Sequence, residues 1–289
     1  MKESLINSDF LKKLDRLKLN SNIVLNKGYS GLRKSKSKGQ SVEFSDFREY
    51  THGDDYRKID WNVYARFEKL FIKLFMEERE ALINIFLDCS KSMDFGNPKK
   101  SLTAQKIALA LGYLSLSNMD KINLFTQEGE SLKDTDYLHG KNSFSTLVNY
   151  VDSINFDNKR DFFSLIKSRT YKKGVSIIIS DLFTTMLKDS IKYLSYMKQT
   201  IIIIQVLSLE EIKPNDIGDI RFIDSETDEA KDVSVTPQVL SSYNDTFSEF
   251  INEIKELCNK YGCSYTLVSN KEHIDEIILD NLIKARILR

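Results

Sequence analysis

Short apolar runs that alternate with helical segments constrain the fold of this chain more than any other feature. Residues 82–87 (LINIFL), 175–179 (VSIII) and 200–207 (TIIIIQVL) are runs of strand length bounded by polar residues. Apolar residues at helical spacing lie between and after them, for example across 102–116 and 247–258. A strand that is apolar along its whole length is buried on both faces. The pattern therefore predicts an α/β fold, with a mostly parallel sheet and helices on both faces.

Composition argues against several classes of protein. Forty-two basic residues balance forty-two acidic ones, so no overall charge would draw the chain to nucleic acid. Three cysteines, Cys89, Cys258 and Cys263, are too few for a disulfide framework, and no further soft ligands suggest a zinc site. No apolar run approaches the roughly 20 residues that cross a bilayer, and residues 1–19 lack the apolar core of a signal peptide. We expect a cytoplasmic protein without a transmembrane segment.

Acidic residues stand directly after two of the predicted strands, Asp88 after the first and Asp181 after the second. In open α/β sheets, binding sites gather beyond the carboxyl ends of the strands. Asp88 also opens an Asp-x-Ser-x-Ser run with Ser90 and Ser92, within the sequence LDCSKSM. One carboxylate and two hydroxyls are hard oxygen ligands, which suit Mg²⁺ or Mn²⁺. The pattern predicts a divalent-metal site, and the alternative is that the two serines cap the next helix.

The runs LDCSKSM and SIIISDLF resemble the metal-ion-dependent adhesion site of von Willebrand factor A domains. That site takes an aspartate and two serines from a first loop, a threonine from a second loop and an aspartate from a third. The resemblance implies a von Willebrand factor A-like fold in which Asp88, Ser90, Ser92 and Asp181 hold the metal. Because so sparse a ligand set leaves a cation electrophilic, we expect it to accept a carboxylate from another protein.

The second loop departs from the family pattern. Arg160 stands at the threonine position, in the run NKRDFFSL, and Asp161 follows it. An arginine at this place repels a cation and can pair with Asp88 or Asp181 instead. Asp161 or Thr184 could then supply the missing oxygen, and a site that holds no metal is the alternative.

Residues 1–80 precede the predicted sheet and are interpreted as a small N-terminal lobe that contains β-strands, with residues 81–289 as the α/β domain. Charged and aromatic side chains alternate densely from residue 43 to residue 80. Arginine–carboxylate pairs would fix such a segment, and the single tryptophan would anchor it. The residues singled out here are Arg48, Asp54, Arg57, Asp60, Trp61 and Arg66.

The motifs FSDFREY, GD, RKIDW and AR of this lobe resemble the signature of the bacterial and archaeal "domain of unknown function 58" family. The similarity continues through LDCSKSM, SDLF and DSET, so it spans nearly the whole chain. Members of that family are commonly encoded beside MoxR-type AAA+ ATPases and are thought to act with them in the maturation of other proteins. The resemblance implies a MoxR-type ATPase and a client protein as partners.

These observations favour a non-enzymatic, protein-binding adaptor, because the sequence shows no nucleophile–base arrangement and no phosphate-binding loop. One alternative is a magnesium-dependent phosphohydrolase with Asp88 as its nucleophile, although Ser90 stands where such enzymes place a second acid. The other alternative is an interaction scaffold without metal, in which Arg160 neutralises the acidic loops.

Overall fold

In the computed structural model, the apolar runs of the sequence form the central strands of a sheet. The structure describes residues 6–20, 43–76, 80–158, 161–215, 217–223 and 230–289. In chain order the strands are β1 Glu43–Glu49, β2 Phe71–Met76, β3 Leu82–Leu87, β4 Lys121–Glu128, β5 Ser131–Asp134, β6 Leu138–His139, β7 Val175–Ser180, β8 Thr200–Leu207, β9 Gly218–Ile223, β10 Ala230–Val235 and β11 Ser264–Ser269. The helices are α1 Ser8–Leu14, α2 Trp61–Phe67, α3 Lys100–Ser117, α4 Phe144–Asp152, α5 Phe162–Ile166, α6 Leu187–Tyr196, α7 Leu209–Ile212, α8 Pro237–Tyr261, α9 Ile274–Glu276 and α10 Leu282–Lys284. A π-helical turn, Ile277–Asn281, joins α9 to α10, and 3₁₀ turns cover Tyr56–Lys58, Lys91–Asp94 and Lys141–Ser143.

The chain divides into two units, Gly28–Glu80 as the smaller and Met1–Lys27 with Ala81–Arg289 as the larger. The sequence interpretation placed all of residues 1–80 in one lobe, and the structure differs for the first helix. Phe10 and Leu14 of α1 are buried in the main hydrophobic core of the larger unit. Because their apolar surface is removed from water there, α1 belongs with the sheet-forming part of the chain.

Seven strands form the sheet of the larger unit, in the order β11–β8–β7–β3–β4–β5, with β6 beside β4. The pairs between β11, β8, β7, β3 and β4 are all parallel, while β5 and β6 run antiparallel to β4. In the centre of the sheet, Ile85 lies opposite Leu124 on one side and Ile177 on the other. The predicted mostly parallel sheet is confirmed.

Helices cover both faces of this sheet, as the apolar character of its strands predicts. On β3, Ile83, Ile85 and Leu87 belong to one buried cluster and Phe86 belongs to the other, because successive side chains of a strand point to opposite faces. The first cluster includes side chains of α1, α3 and α4 and of the C-terminal segment. The second includes side chains of α5, α6 and α8. The loops that leave the carboxyl ends of β3 and β7 start from this rigid centre.

A hairpin lies between β8 and β11 in chain order. The alternating run at 221–235, interrupted at Thr227-Asp228, predicts such a hairpin from the sequence. Strands β9 and β10 pair antiparallel, with Ile223 opposite Ala230. The connection, including the turn predicted at Thr227-Asp228, lies outside the described residues.

The smaller unit contains an antiparallel pair of strands and a short helix. Strands β1 and β2 pair along their length, with Arg48 opposite Ile72. Helix α2 begins after Asp60, whose carboxylate accepts the backbone N–H of Asn62 at 2.9 Å and of Val63 at 3.4 Å. A side chain that satisfies the free N–H groups of the first turn stabilises a short helix. The predicted β-strands of the N-terminal lobe are present.

Residues from the two ends of the described chain pair with each other in the larger unit. The backbone N–H of Lys18 donates to the carbonyl of Arg289 at 3.0 Å, and that of Arg289 donates to the carbonyl of Lys18 at 3.0 Å. Leu19 and Leu288 form the bridge between them, and both side chains are buried.

Within the described ranges, no helix combines the length and the apolar character that crossing a bilayer requires.

Candidate metal centre

The first loop begins where β3 ends, and it holds the Asp88 carboxylate in a buried position. Asp88 is only 4% exposed. One carboxylate oxygen accepts the backbone N–H of Ser90 at 2.9 Å, and the other accepts the hydroxyl of Ser180 at 2.6 Å. Its backbone N–H also donates to the carbonyl of Ile179 at 3.0 Å, which continues the pairing of β3 and β7. The orientation of the carboxylate is therefore set by two neighbouring strands.

Ser90 and Ser92 bring their hydroxyl oxygens within 2.9 Å of each other. Ser90 precedes a 3₁₀ turn without capping it through its side chain, and α3 starts after Lys99. The alternative that these serines cap the next helix is therefore wrong. Two oxygens bound at right angles to one Mg²⁺, each about 2.05 Å from it, are about 2.9 Å apart. The two hydroxyls form a hydrogen bond in which either can donate, and its length equals the spacing of two neighbouring octahedral ligands.

Asp181 follows β7 and is also buried, but its carboxylate already has a cation beside it. One oxygen accepts the backbone N–H of Phe183 at 3.2 Å, and the other lies 2.9 Å from the ammonium of Lys100. The same ammonium lies 2.7 Å from a carboxylate oxygen of Glu211. Lys100 therefore joins the third loop to α7.

The ionisation of Asp88 is influenced by its burial and by its neighbours. Burial raises the pKa of Asp88 to about 6, and the negative charge of Asp181 raises it as well. Hydrogen bonds from Ser180 and Ser90 act in the opposite direction, because they stabilise the ionised carboxylate. A positive ion beside Asp88 would favour its ionised form.

The second loop lies beside the first, and Asn158 holds the two together. Its carbonyl accepts the backbone N–H of Lys91 at 2.9 Å, and its side-chain amide donates to the carbonyl of Cys89 at 3.2 Å. Arg160, the residue predicted at the threonine position, lies outside the described residues. The pairing of Arg160 with Asp88 or Asp181 stays a prediction.

Asp161 and Thr184, the alternative sources of a second-loop oxygen, bind each other. The hydroxyl of Thr184 donates to one carboxylate oxygen of Asp161 at 2.5 Å. The other oxygen accepts the backbone N–H of Phe163 at 2.8 Å and so caps α5. Both residues thus have structural contacts that link the second loop to the third.

Sequence reasoning missed three residues of the site, Lys100, Glu211 and Ser180. Lys100 is the first residue of α3, where a positive charge opposes the helix dipole. A lysine at such a place signals carboxylates nearby, and this signal was available in the sequence. Glu211 completes a capping box with Ser208, which the spacing Ser-x-x-Glu indicates. Ser180 had no distinctive pattern beyond its position before Asp181.

Within residues 43–76, the close ion pair between Arg48 and Asp54 and the exposed aromatic side chains of α2 stand out. The guanidinium of Arg48 lies 2.6 Å from the carboxylate of Asp54, as expected for the predicted pairing. Trp61 is 61% exposed and contacts Tyr64 edge to face, so the expectation that it anchors the segment is wrong. Asp60 caps α2, so Trp61 is the first residue of that helix. Its side chain is exposed to solvent. Arg57 and Arg66 are both exposed.

The residues around Asp88 fit a divalent cation on charge as well as on oxygen spacing. Asp88, Asp181 and Glu211 carry three negative charges when ionised, and Lys100 carries one positive charge. The net charge of these four side chains is then two negative units, which one Mg²⁺ would neutralise. Among the residues that the structure describes, no three His, Cys, Asp or Glu side chains form a metal cluster. A cation at this site would therefore depend on the serine hydroxyls for ligands.

Comparison with known proteins identifies related sequences whose functions are unknown. A family model described as "Protein of unknown function DUF58" matches residues 46–249. An uncharacterized protein of Mycobacterium bovis and one of Mycobacterium tuberculosis are each 21% identical over 213 residues. Each match covers 71% of this chain and 67% of the relative.

Two solved structures with some similarity come from Bacteroides species. The conserved hypothetical protein BatB from Bacteroides thetaiotaomicron is 14% identical, with a TM-score of 0.43, and the match covers 71% of this chain and 98% of that chain. An aerotolerance-related membrane protein from Bacteroides fragilis is also 14% identical, with a TM-score of 0.42 and coverage of 71% and 99%. At these TM-scores, neither structure bears on the chemistry of the site.

Proposed function

The chain belongs to the DUF58 family of proteins of unknown function, and from this premise we propose that it is a non-enzymatic adaptor that binds other proteins through a divalent-metal site. The larger unit is proposed to be von Willebrand factor A-like. The position of the site, on loops that leave the neighbouring parallel strands β3 and β7, supports this proposal.

The observation that carries the proposal is the arrangement of oxygens on the first loop. Ser90 and Ser92 present hydroxyl oxygens 2.9 Å apart, directly after a buried carboxylate whose own orientation is fixed by two donors. Asp88, Ser90, Ser92 and Asp181 would hold Mg²⁺ or Mn²⁺, directly or through water. A bound cation would supply an electrophilic position for a carboxylate of the partner protein.

The partners are proposed to be a MoxR-type AAA+ ATPase and a client protein, and the chain is proposed to act in the cytoplasm. The resemblance of the sequence signature supports the ATPase. The exposed aromatic surface of α2 in the smaller unit supports protein binding, because Trp61 and Phe67 are 61% and 67% exposed. Exposed aromatic side chains of this kind are enriched at protein interfaces.

Calorimetric titration of Mg²⁺ and Mn²⁺ into the purified chain tests the metal site. We expect saturable binding that the substitution Asp88→Asn abolishes, because it removes the negative charge and one of the two carboxylate oxygens. Asp94→Asn is the matched control, since Asp94 lies near the same loop but pairs with Lys99 at 2.7 Å on the surface. Equal binding by wild type and Asp88→Asn would refute the site.

Partner capture is tested separately, with a MoxR-type ATPase and the wild-type chain in Mg²⁺ and in a chelator. We expect the complex to form in Mg²⁺ and to weaken in the chelator. A complex of equal strength in both would favour the second candidate function, an interaction scaffold without metal. The ammonium of Lys100 beside Asp181 favours that candidate, because it already neutralises one of the acidic loops.

A further inference from the structure

Lys100 is a fully buried lysine at the edge of the candidate metal centre. Its side chain has no exposed surface, and its ammonium lies 2.9 Å from Asp181 and 2.7 Å from Glu211. Desolvation of an ammonium is costly unless charged partners compensate it. Two carboxylates, one on the loop after β7 and one on α7, provide that compensation, so the position of the ammonium is set by both.

Aromatic rings surround the same ammonium on its outer side. It lies 5.9 Å from the ring centroid of Phe95 and 5.6 Å from that of Phe183. The faces of aromatic rings attract a cation at such distances. Both rings are about half exposed, at 49% and 50%, so they separate the buried charge from solvent. The carboxylates and the rings together hold Lys100 in place.

We infer that Lys100 is an internal counter-ion that competes with a bound divalent cation for Asp181 and thereby sets the cation affinity of the site. The inference rests on the proposed metal site and goes beyond it, since it concerns a residue outside the ligand set. The ammonium occupies one of the two oxygens of Asp181 and lowers the negative charge that a cation would encounter. Removing it frees that oxygen and makes the site more negative.

The test is titration of Mg²⁺ by calorimetry into wild type and Lys100→Gln, with thermal unfolding of both in Mg²⁺ and in a chelator. We expect Lys100→Gln to bind Mg²⁺ at least about tenfold more tightly, because one unit of opposing charge next to the cation is removed. We also expect Mg²⁺ to raise the unfolding temperature of this variant more than that of wild type, since binding to the folded state stabilises it.

Lys99→Gln is the matched control for charge. Lys99 is the neighbouring residue, about half exposed, and pairs with Asp94 rather than Asp181. Its substitution changes the net charge by the same amount, and we expect the Mg²⁺ affinity to stay at the wild-type value. An equal gain in both variants would mean that net charge alone acts, and would overturn the inference.

Removal of a buried cation can prevent folding, so a second variant, Lys100→Gln/Glu211→Gln, removes the ammonium and one of its carboxylates together. It keeps the net charge and leaves Asp181 free, and we expect tighter Mg²⁺ binding here as well.

The outcomes separate this inference from the proposed function. Binding by wild type that is not tightened in the Lys100 variants overturns the inference and leaves the metal site intact. Binding that occurs only in the Lys100 variants supports the inference and shows that the native site uses lysine in place of a metal. Absence of binding in every chain overturns both.

Discussion

Asp88 is a carboxylate that the fold removes from water and then supplies with two hydrogen-bond donors. The Ser180 hydroxyl and the Ser90 backbone N–H stabilise its negative charge, while burial and the charge of Asp181 oppose it. The opposing effects are stronger, so the pKa of this side chain lies at about 6, above the ordinary value of 3.8. The charge of the site therefore changes within a pH range that is easily reached in solution.

The raised pKa makes the stability of the larger unit depend on pH. The folded chain holds the Asp88 proton more tightly than the unfolded chain, so this group's contribution is fully present below pH 3.8 and is lost as pH rises through about 6. Between these values the loss is at most about 3 kcal/mol, from about two pKa units at 1.36 kcal/mol each. We expect urea unfolding in a chelator to show this decline for wild type between pH 4 and about pH 7.

Asp88→Asn is the control for this measurement, because it cannot ionise at that position. As pH rises from 4 to about 7, we expect the free energy of unfolding of wild type to fall relative to that of the variant. Mg²⁺ should restore wild-type stability at the higher pH if the site binds it. Parallel pH profiles for the two chains would contradict the assignment of the shift to Asp88.

At the scale of elements, the close pairing of β3 and β7 positions the two acidic loops beside each other. Gly174 stands just before β7, where a side-chain Cβ would overlap the backbone carbonyl of Leu82 at the start of β3. A backbone atom cannot move aside as the end of a side chain can. Only glycine allows the two strands to begin at this distance.

Gly174→Ala tests this close approach. We expect it to destabilise the larger unit by about 1–3 kcal/mol, because overpacking forces the backbone to shift. The measurement is chemical unfolding, with Lys173→Ala as the control at the exposed neighbouring position. Equal stability of the two variants would show that the strands separate at little cost.

The elements that could be predicted from sequence are those whose side chains face the core. The sequence locates the strands at 82–87, 175–179 and 200–207 because apolar residues make up most of each run. Helix α8 starts at Pro237, ten residues before the predicted start, because its first turns are largely exposed and lack an apolar period. Its beginning is set by the Thr236 cap and by proline at the first position.

Some residues of the candidate site could be predicted from sequence and others could not. Asp88, Ser90 and Ser92 are close in sequence, and their spacing after a strand was enough to group them. The partners of Lys100 are 81 and 111 residues away, so no local pattern connects them. Such contacts depend on how the loops of separate strands meet at the sheet edge.

At the scale of the molecule, the larger unit is built from two separate stretches of the chain. Helix α1 precedes the smaller unit in sequence. Its apolar side chains nevertheless pack in a core that is formed mainly by residues after Ala81. Sequence patterns placed α1 with the residues that follow it, because adjacency along the chain was the only available guide. In the structure, the burial of Phe10 and Leu14 assigns α1 to the larger unit.

Phe10→Ala and Leu14→Ala test the membership of α1 in the larger unit. We expect each to reduce the free energy of unfolding by about 2–5 kcal/mol, because both side chains are almost completely buried. Lys12→Ala, at an exposed position of the same helix, is expected to have little effect. Unchanged stability of the Phe10 and Leu14 variants would show that α1 is not part of the core.

The pairing of residues 18–20 with residues 286–289 has a consequence for the order of events on the ribosome. The side-chain amide of Asn20 donates to the carbonyl of Arg286 across 266 positions of sequence. Strands β1 and β2 can pair while translation continues, since the smaller unit is continuous in sequence. The pairing of residues 18–20 must wait until residues 286–289 have been made. Helix α1 itself contacts α3, which is made much earlier, so residues 18–20 are the part of this segment whose pairing depends on residues 286–289.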